Sequence, residues 1–137
     1  MEKDLVELFG QTARRIRRRQ LERLAPLGLT PSLSRALRVI TSAEEPLRMA
    51  ELADRLGVVP RSVTTVVDAL EKAGLAAREP DPGNRRSTLV SATDQGRAVR
   101  TRMAEARREA AEEVFRPLTA GQREQLRALL ALLDDRE

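Results

Sequence analysis

Two glycines and a proline constrain what the stretch MAELADRLGVVPRSVTTVVDALEKAG, Met49 to Gly74, can become. Leu52, Ala53 and Leu56 recur at helical spacing and stop at Gly57, a residue that enters the left-handed conformation ending helices without steric cost. A second helical repeat opens at Pro60, with Val63, Val66, Val67 and Leu70 on its inner side, and stops at Gly74. Two helices joined by so tight a Gly-containing turn have the spacing of a helix-turn-helix.

The chain then reverses. LAARE and STLVSA flank a PDPGNRR turn, and Thr88, Val90 and Ala92 alternate to one face, as a half-buried strand requires. Arg85 and Arg86 are expected at the tip of this hairpin. Helix, Gly turn, longer helix and basic hairpin is the order of a winged helix-turn-helix, whose second helix lies in the major groove of DNA. The outer side of that helix offers Arg61, Ser62, Thr64 and Thr65 near its N-terminus. One guanidinium and three small hydroxyls suit phosphate oxygens and base edges. Ser62 and Thr65 would also serve as ordinary first-turn residues that help to cap the helix. The hairpin can reach the adjacent minor groove, whose narrow A·T stretches attract inserted arginine. An ion pair between Asp81 and Arg85 that shapes the turn is compatible with that role.

Longer helical patterns lie on both sides. Leu5, Leu8, Phe9, Ala13, Ile16 and Leu24 recur at helical spacing, and the run ends at Pro26–Gly28. Arg14, Arg15, Arg17, Arg18 and Arg19 cover its other faces, as a solvated surface or a phosphate-facing one. Thr30 before Pro31 predicts a capped helix start, with Leu33, Ala36, Leu37 and Ile40 inside and a break at Glu44–Pro46. Thr93 and Asp94 open a helix to about Phe115, with Val99, Met103, Ala106, Ala110 and Val114 on one face, ended by Pro117. Thr119 with Gln122 is a capping-box pattern that starts the last helix, which carries Leu126, Leu129, Leu130 and Leu133. The expected fold is mainly α with a small β-hairpin wing, in one domain over 1–137, with the winged module at 30–92 and flanking helices at 1–27 and 93–137.

Composition narrows the chemistry. Lys and Arg number 25 against 21 Asp and Glu, a formal charge of +4, and Lys3 and Lys72 are the only lysines. A basic, arginine-rich surface fits a polyanionic partner, and arginine pairs phosphates and guanine edges bidentately. His and Cys are absent, which removes thiol redox sensing, disulfides, zinc fingers and nearly every acid–base site built on imidazole. With no Gly-rich phosphate cradle either, an enzyme is the least supported reading, and no cofactor or metal is expected. A winged module that binds only proteins is opposed by the basic wing. Phe9 and Phe115 are the only aromatics, so the stacking platforms of single-strand and RNA binders are missing. No apolar run approaches the roughly 20 residues that span a bilayer, and MEKDLVELFG lacks a secretory pattern. A cytoplasmic protein without a membrane partner is expected.

The stretch MAELADRLGVVPRSVTTVVDALEKAGLAAREPDPGNRRSTLVSATDQG resembles the MarR (multiple-antibiotic-resistance regulator) family. The most specific part is D-P-x-x-R-R at Asp81–Arg86, followed by a strand and T-x-x-G at Thr93–Gly96; Gly74–Leu75 before the hairpin agrees. The resemblance implies an obligate homodimer with interlocked N- and C-terminal helices, bound to a pseudo-palindromic operator in double-stranded DNA. It further implies repression, often relieved by a small-molecule effector. DNA contact carries over to Arg85 of the wing and to Arg61, Ser62, Thr64 and Thr65; Arg86 stands beside them. The chain departs from the family where many relatives place a Ser or Thr cap, expected here at Ala50 and Val59. Each loss costs about 1 kcal/mol, partly offset at the second site by Pro60. The cysteine of redox-sensing relatives and the Tyr, Trp or His of aromatic ligand pockets are absent. Leu5, Leu8, Phe9 and Ile16 on the first helix, with Leu126, Leu129, Leu130 and Leu133 on the last, exceed what one winged module buries. They are expected in a twofold interface.

Overall fold

Asp4 opens the first helix by accepting the Glu7 N–H at 2.8 Å. This helix, α1 (Leu5–Leu24), ends in a 3₁₀ turn at Ala25–Leu27. The Thr30 hydroxyl caps α2 (Pro31–Ser42) by accepting the Leu33 N–H, as its sequence predicts. The computed structural model describes residues 2–134; residue 1 and residues 135–137, the outer ends of the expected flanking segments, lie outside the described residues. Then follow β1 (Leu47–Arg48), α3 (Met49–Leu56), α4 (Pro60–Lys72), β2 (Ala76–Asp81), β3 (Asn84–Ala92), α5 (Asp94–Phe115) and α6 (Ala120–Ala131). Among the described residues no helix is long and apolar enough to cross a membrane.

The sheet is antiparallel, in the order β1-β3-β2. The strand β1 is not expected from the sequence, because two residues are too few for an alternation to show. Its register, Leu47 opposite Val90 and Arg48 opposite Leu89, lays the start of α3 against the wing. That pairing also moves the helix start: the cap of α3 is Arg48, not Ala50. The Glu51 carboxylate accepts the Arg48 N–H at 3.4 Å, but a guanidinium accepts no hydrogen bond, so the capping deficit expected at Ala50 falls on Arg48 instead. At α4 the start is Val59, as expected, and its side chain makes no cap.

The core gathers the inner faces of α2, α3 and α4 on Val90 of β3 and Met103 of α5. Leu37, Leu52, Val63, Val67 and Leu70 are fully buried there, while Leu33 and Val66 are half-buried at its margin. Along one face of α5, Met103 and Ala110 are buried and Val99, Ala106 and Val114 partly so.

One joint connects the α3–α4 pair, the wing and the long helix. The Thr93 hydroxyl donates to the Gly74 carbonyl at 2.6 Å and accepts the Gly96 N–H at 3.0 Å, while the Thr93 N–H donates to the Leu75 carbonyl. Gly96 packs directly on Leu75, and a Cβ at Gly96 would collide with the Leu75 carbonyl. The T-x-x-G motif and Gly74–Leu75 are therefore the two sides of one contact. Backbone cannot yield as a flexible side chain does, so Gly96→Ala is expected to destabilise the fold by about 1–3 kcal/mol. Gly121→Ala, with nothing near its added methyl, should be neutral or slightly stabilising. Denaturant midpoints of both variants at one protein concentration check this pair.

Candidate nucleic-acid interface

Gly57 at φ 67° turns the chain from α3 into α4. With Val63, Val67 and Leu70 buried, the outer side of α4 presents Arg61, Ser62, Thr64 and Thr65 together, all exposed. Pro60 has no N–H, and the Ser62 and Val63 N–H groups both reach the Val59 carbonyl. Arg61 alone keeps a free N–H in this first turn among the described residues, at the end of a helix where backbone donors favour phosphate. The Thr64 and Thr65 hydroxyls donate to the Pro60 and Arg61 carbonyls at 3.2 and 3.4 Å. Their hydrogens are thus turned into the helix, and the outward lone pairs offer acceptors for base amino groups. The side chains of Arg61 and Ser62 have no partner among the described residues.

The wing differs from the expected hairpin in two ways. Its tip is Pro82–Gly83, and Arg85 and Arg86 lie just beyond it, at the start of β3. Pro80 faces Thr88, yet Asp81 faces Asn84, so Arg85, Arg86 and Ser87 have no partner on β2. An irregularity of this kind re-aims side chains, and both guanidinium groups are exposed and unpaired among the described residues. The second difference is the Asp81 partner. The expected Asp81–Arg85 pair does not form. One Asp81 oxygen accepts the Gly83 N–H at 2.9 Å, and the other meets Arg48 Nε at 3.1 Å. The β1 pairing brings Arg48 over the turn and holds the carboxylate inward, 10% exposed.

Arg78 is a residue that the sequence reading missed. From β2 it donates to Asp68 at 2.6 Å, to Glu71 at 3.2 Å and to the Thr64 carbonyl at 3.3 Å. Glu71 also accepts the Arg78 N–H at 3.0 Å. The wing is thereby fastened to the outer side of α4. The signal was present: two carboxylates one turn apart on the helix and an arginine in the following strand.

The flanking helices carry the remaining expected residues. Leu5, Leu8 and Phe9 of α1 are exposed, Ile16 and Leu126 are half-buried, and Leu129 and Leu130 of α6 are exposed. Leu133 is exposed too but follows the end of α6 at Ala131, so it is not on the helical stripe. The α1 residues meet Phe115, Leu126 and Leu130 around an open apolar hollow of about 320 Å³, from which Leu129 and Leu133 stand apart. Ion pairs of Arg19 with Glu113 at 3.0 Å and Arg23 with Glu109 at 2.9 Å join α1 to α5. Arg19 of the basic run is thus structural, whereas Arg14, Arg15, Arg17 and Arg18 have no carboxylate partner among the described residues.

Removing the Arg78 fork should loosen the wing more than the core. Arg78→Ala is expected to raise amide hydrogen exchange in β2 and β3 relative to α5, at a global cost of about 1 kcal/mol. Arg78→Lys should rescue only part, since an ammonium cannot reproduce the planar fork across three acceptors. Equal protection in all three proteins would contradict this role.

The MarR family model matches residues 27–87, from the end of the first helical segment into β3. HTH-type transcriptional repressor Rv2887 of Mycobacterium tuberculosis is 36% identical over 110 residues, 80% of this chain and 78% of that protein. HTH-type transcriptional regulator YcgE of Bacillus subtilis is 36% identical over 90 residues, 66% of this chain and 58% of that protein. Wild-type MarR of E. coli in its apo form has a similar structure, with a TM-score of 0.80 at 25% identity, covering 98% of this chain and 99% of that one. With the helix-turn-helix, the wing and both flanking helices in the same order, the chain belongs to the MarR family of winged helix-turn-helix transcriptional regulators.

Proposed function

We propose that the chain is a homodimeric, sequence-specific repressor that binds a pseudo-palindromic site in double-stranded DNA, acting in the cytoplasm and catalysing no reaction. The observation that carries this reading is the sorting of its arginines. Arg48 and Arg78 are committed to Asp81, Asp68 and Glu71, whereas Arg61 on α4 and Arg85 and Arg86 on the wing are exposed with no carboxylate partner among the described residues. These three stand on the exposed sides of α4 and the wing, where a polyanion outside the fold can pair them. Arg61, Ser62, Thr64 and Thr65 then face base edges, and the wing arginines grip phosphate or enter the minor groove. Repression is favoured by the relative named as a repressor.

Selection of duplexes from a random pool by the purified protein tests this. An inverted repeat with half-sites about one turn, roughly 34 Å, apart is expected. Arg61→Ala should relax one position per half-site by about 1–3 kcal/mol. Arg85→Ala should weaken all duplexes alike and lower the salt slope by about 0.9 per lost phosphate contact, doubled in a dimer. A pool with no enriched motif refutes the reading.

Dimerisation is supported by the apolar residues left open on α1 and α6. Leu129→Arg with Leu133→Arg should abolish tight operator binding without touching a DNA-facing residue, because one module alone loses the gain from linkage. A monomer mass for the unmutated protein by light scattering at micromolar concentration would contradict it.

An effector is best accommodated between α1, α2 and α5, in a cavity of about 340 Å³. Ile16, Leu21 and Leu24 form an apolar wall, and Arg17, Arg38 and Arg107 line it with no carboxylate. Ser34 is 1% exposed, and neither its hydroxyl nor Arg107 Nε has a partner among the described residues. Burial, and then the neighbouring Arg38 and Arg100 charges, lower the Arg107 pKa from its ordinary value. An arginine stays cationic at neutral pH all the same. A small organic anion would satisfy the Ser34 hydroxyl and offset the like charges.

A further inference from the structure

The effector cavity and the recognition helix share a wall. Arg35 of α2 lines the cavity, and it also lines a second cleft of about 400 Å³ together with Ser32 and with Ser62 in the first turn of α4. It is exposed and has no carboxylate partner among the described residues. No carboxylate lines either space. Arg38, one turn further along α2, lines the cavity but not the cleft.

We propose that Arg35 is the residue through which an effector controls DNA affinity: it holds a DNA phosphate beside the first turn of α4 when the cavity is empty, and turns into the cavity when an anion fills it. The inference rests on the DNA-binding reading above. Its physics is a change in sign of the local field. Without an anion among them, Arg17, Arg38 and Arg107 are like charges that push the exposed Arg35 guanidinium outward, toward the cleft that it shares with Ser62. An anion among them reverses that push. A guanidinium fork engages one oxyanion bidentately, so Arg35 serves the effector or the phosphate, not both. The coupling is reciprocal: bound DNA lowers the affinity for the anion by the factor that the anion lowers the affinity for DNA.

The test uses a labelled duplex from the random-pool selection, titrated with the full chain over a range of salt concentrations. Hexanoate, benzoate and inorganic phosphate are the probe anions. With at least one of them the native chain should lose roughly fivefold or more in DNA affinity, the low end of coupling between sites. Its salt slope should fall by about 0.9 per subunit. Arg35→Ala should show the lower affinity and slope without any anion, and no further loss when the anion is added, although the anion still raises its melting temperature. Arg35→Lys should recover most of the slope, since a point charge still meets a phosphate. The proposal is overturned if none of the three anions changes the melting temperature or the DNA affinity of the native chain. It is equally overturned if Arg35→Ala keeps the native slope, or loses as much affinity to the anion as the native chain does. A native chain that binds no duplex would instead defeat the DNA-binding reading itself.

Discussion

Gly96 rests on the carbonyl of Leu75 with no room for a side chain between them. That single approach sets where α5 leaves the sheet, because Thr93 ties the same two segments through Gly74 and Leu75. The α5 helix in turn carries Met103 into the core, Glu109 and Glu113 to α1, and Arg107 to the cavity. The winged module, the flanking helices and the cavity between them are therefore arranged by one backbone contact at the foot of the wing. A shift there would move every other part relative to α4. Close backbone packing is suited to this task because it is bistable rather than gradually deformable.

Electrostatics does the remaining work, through contrast rather than net charge. A charge of +4 on 137 residues is modest. What matters is where the cations lack partners. Arg48 bridges to the inward Asp81 of the wing turn, and the half-buried Arg78 fastens the wing to α4; each is a structural element. Arg61, Arg85 and Arg86 point outward from these fastened parts. A rigid frame that holds unpaired cations has already met the entropic cost of arranging them, which favours binding to a regular phosphate lattice.

The helices, their caps and the core faces were legible because their signals are local. Thr30, Thr93 and Thr119 cap as their spacing predicts, and Gly57 stops α3 with φ 67°. What escaped was non-local. The strand β1 exists only because Val90 and Leu89 are there to pair with it, and that pairing moved the α3 cap from Ala50 to Arg48 and took Asp81 away from Arg85. The shift of Arg85 and Arg86 from the tip into β3 follows from the register jump after Pro80, which a turn motif does not reveal. The partner exchange of Asp81 joins residues 33 positions apart, and the three-acceptor grip of Arg78 crosses from a strand to the helix before it, which neither element's own pattern shows. The exposed site residues were easier, since the buried valines of α4 leave Arg61, Ser62, Thr64 and Thr65 only one side to occupy.

The uncapped start of α4 links stability to recognition. The Val59 side chain supplies no acceptor, and the Ser62 and Val63 donors share its carbonyl, so Arg61 holds a backbone N–H and a guanidinium with no partner among the described residues. A Ser or Thr at the cap would add about 1 kcal/mol to the free protein and would occupy the space in front of this turn. Leaving it out keeps the first turn of α4 open at the place where the helix dipole and the free donor both favour an anion. A phosphate placed there would complete the first turn of the helix that presents Arg61, Ser62, Thr64 and Thr65. The local weakness of α4 and its openness to an anion are thus the same property of Val59 and Pro60.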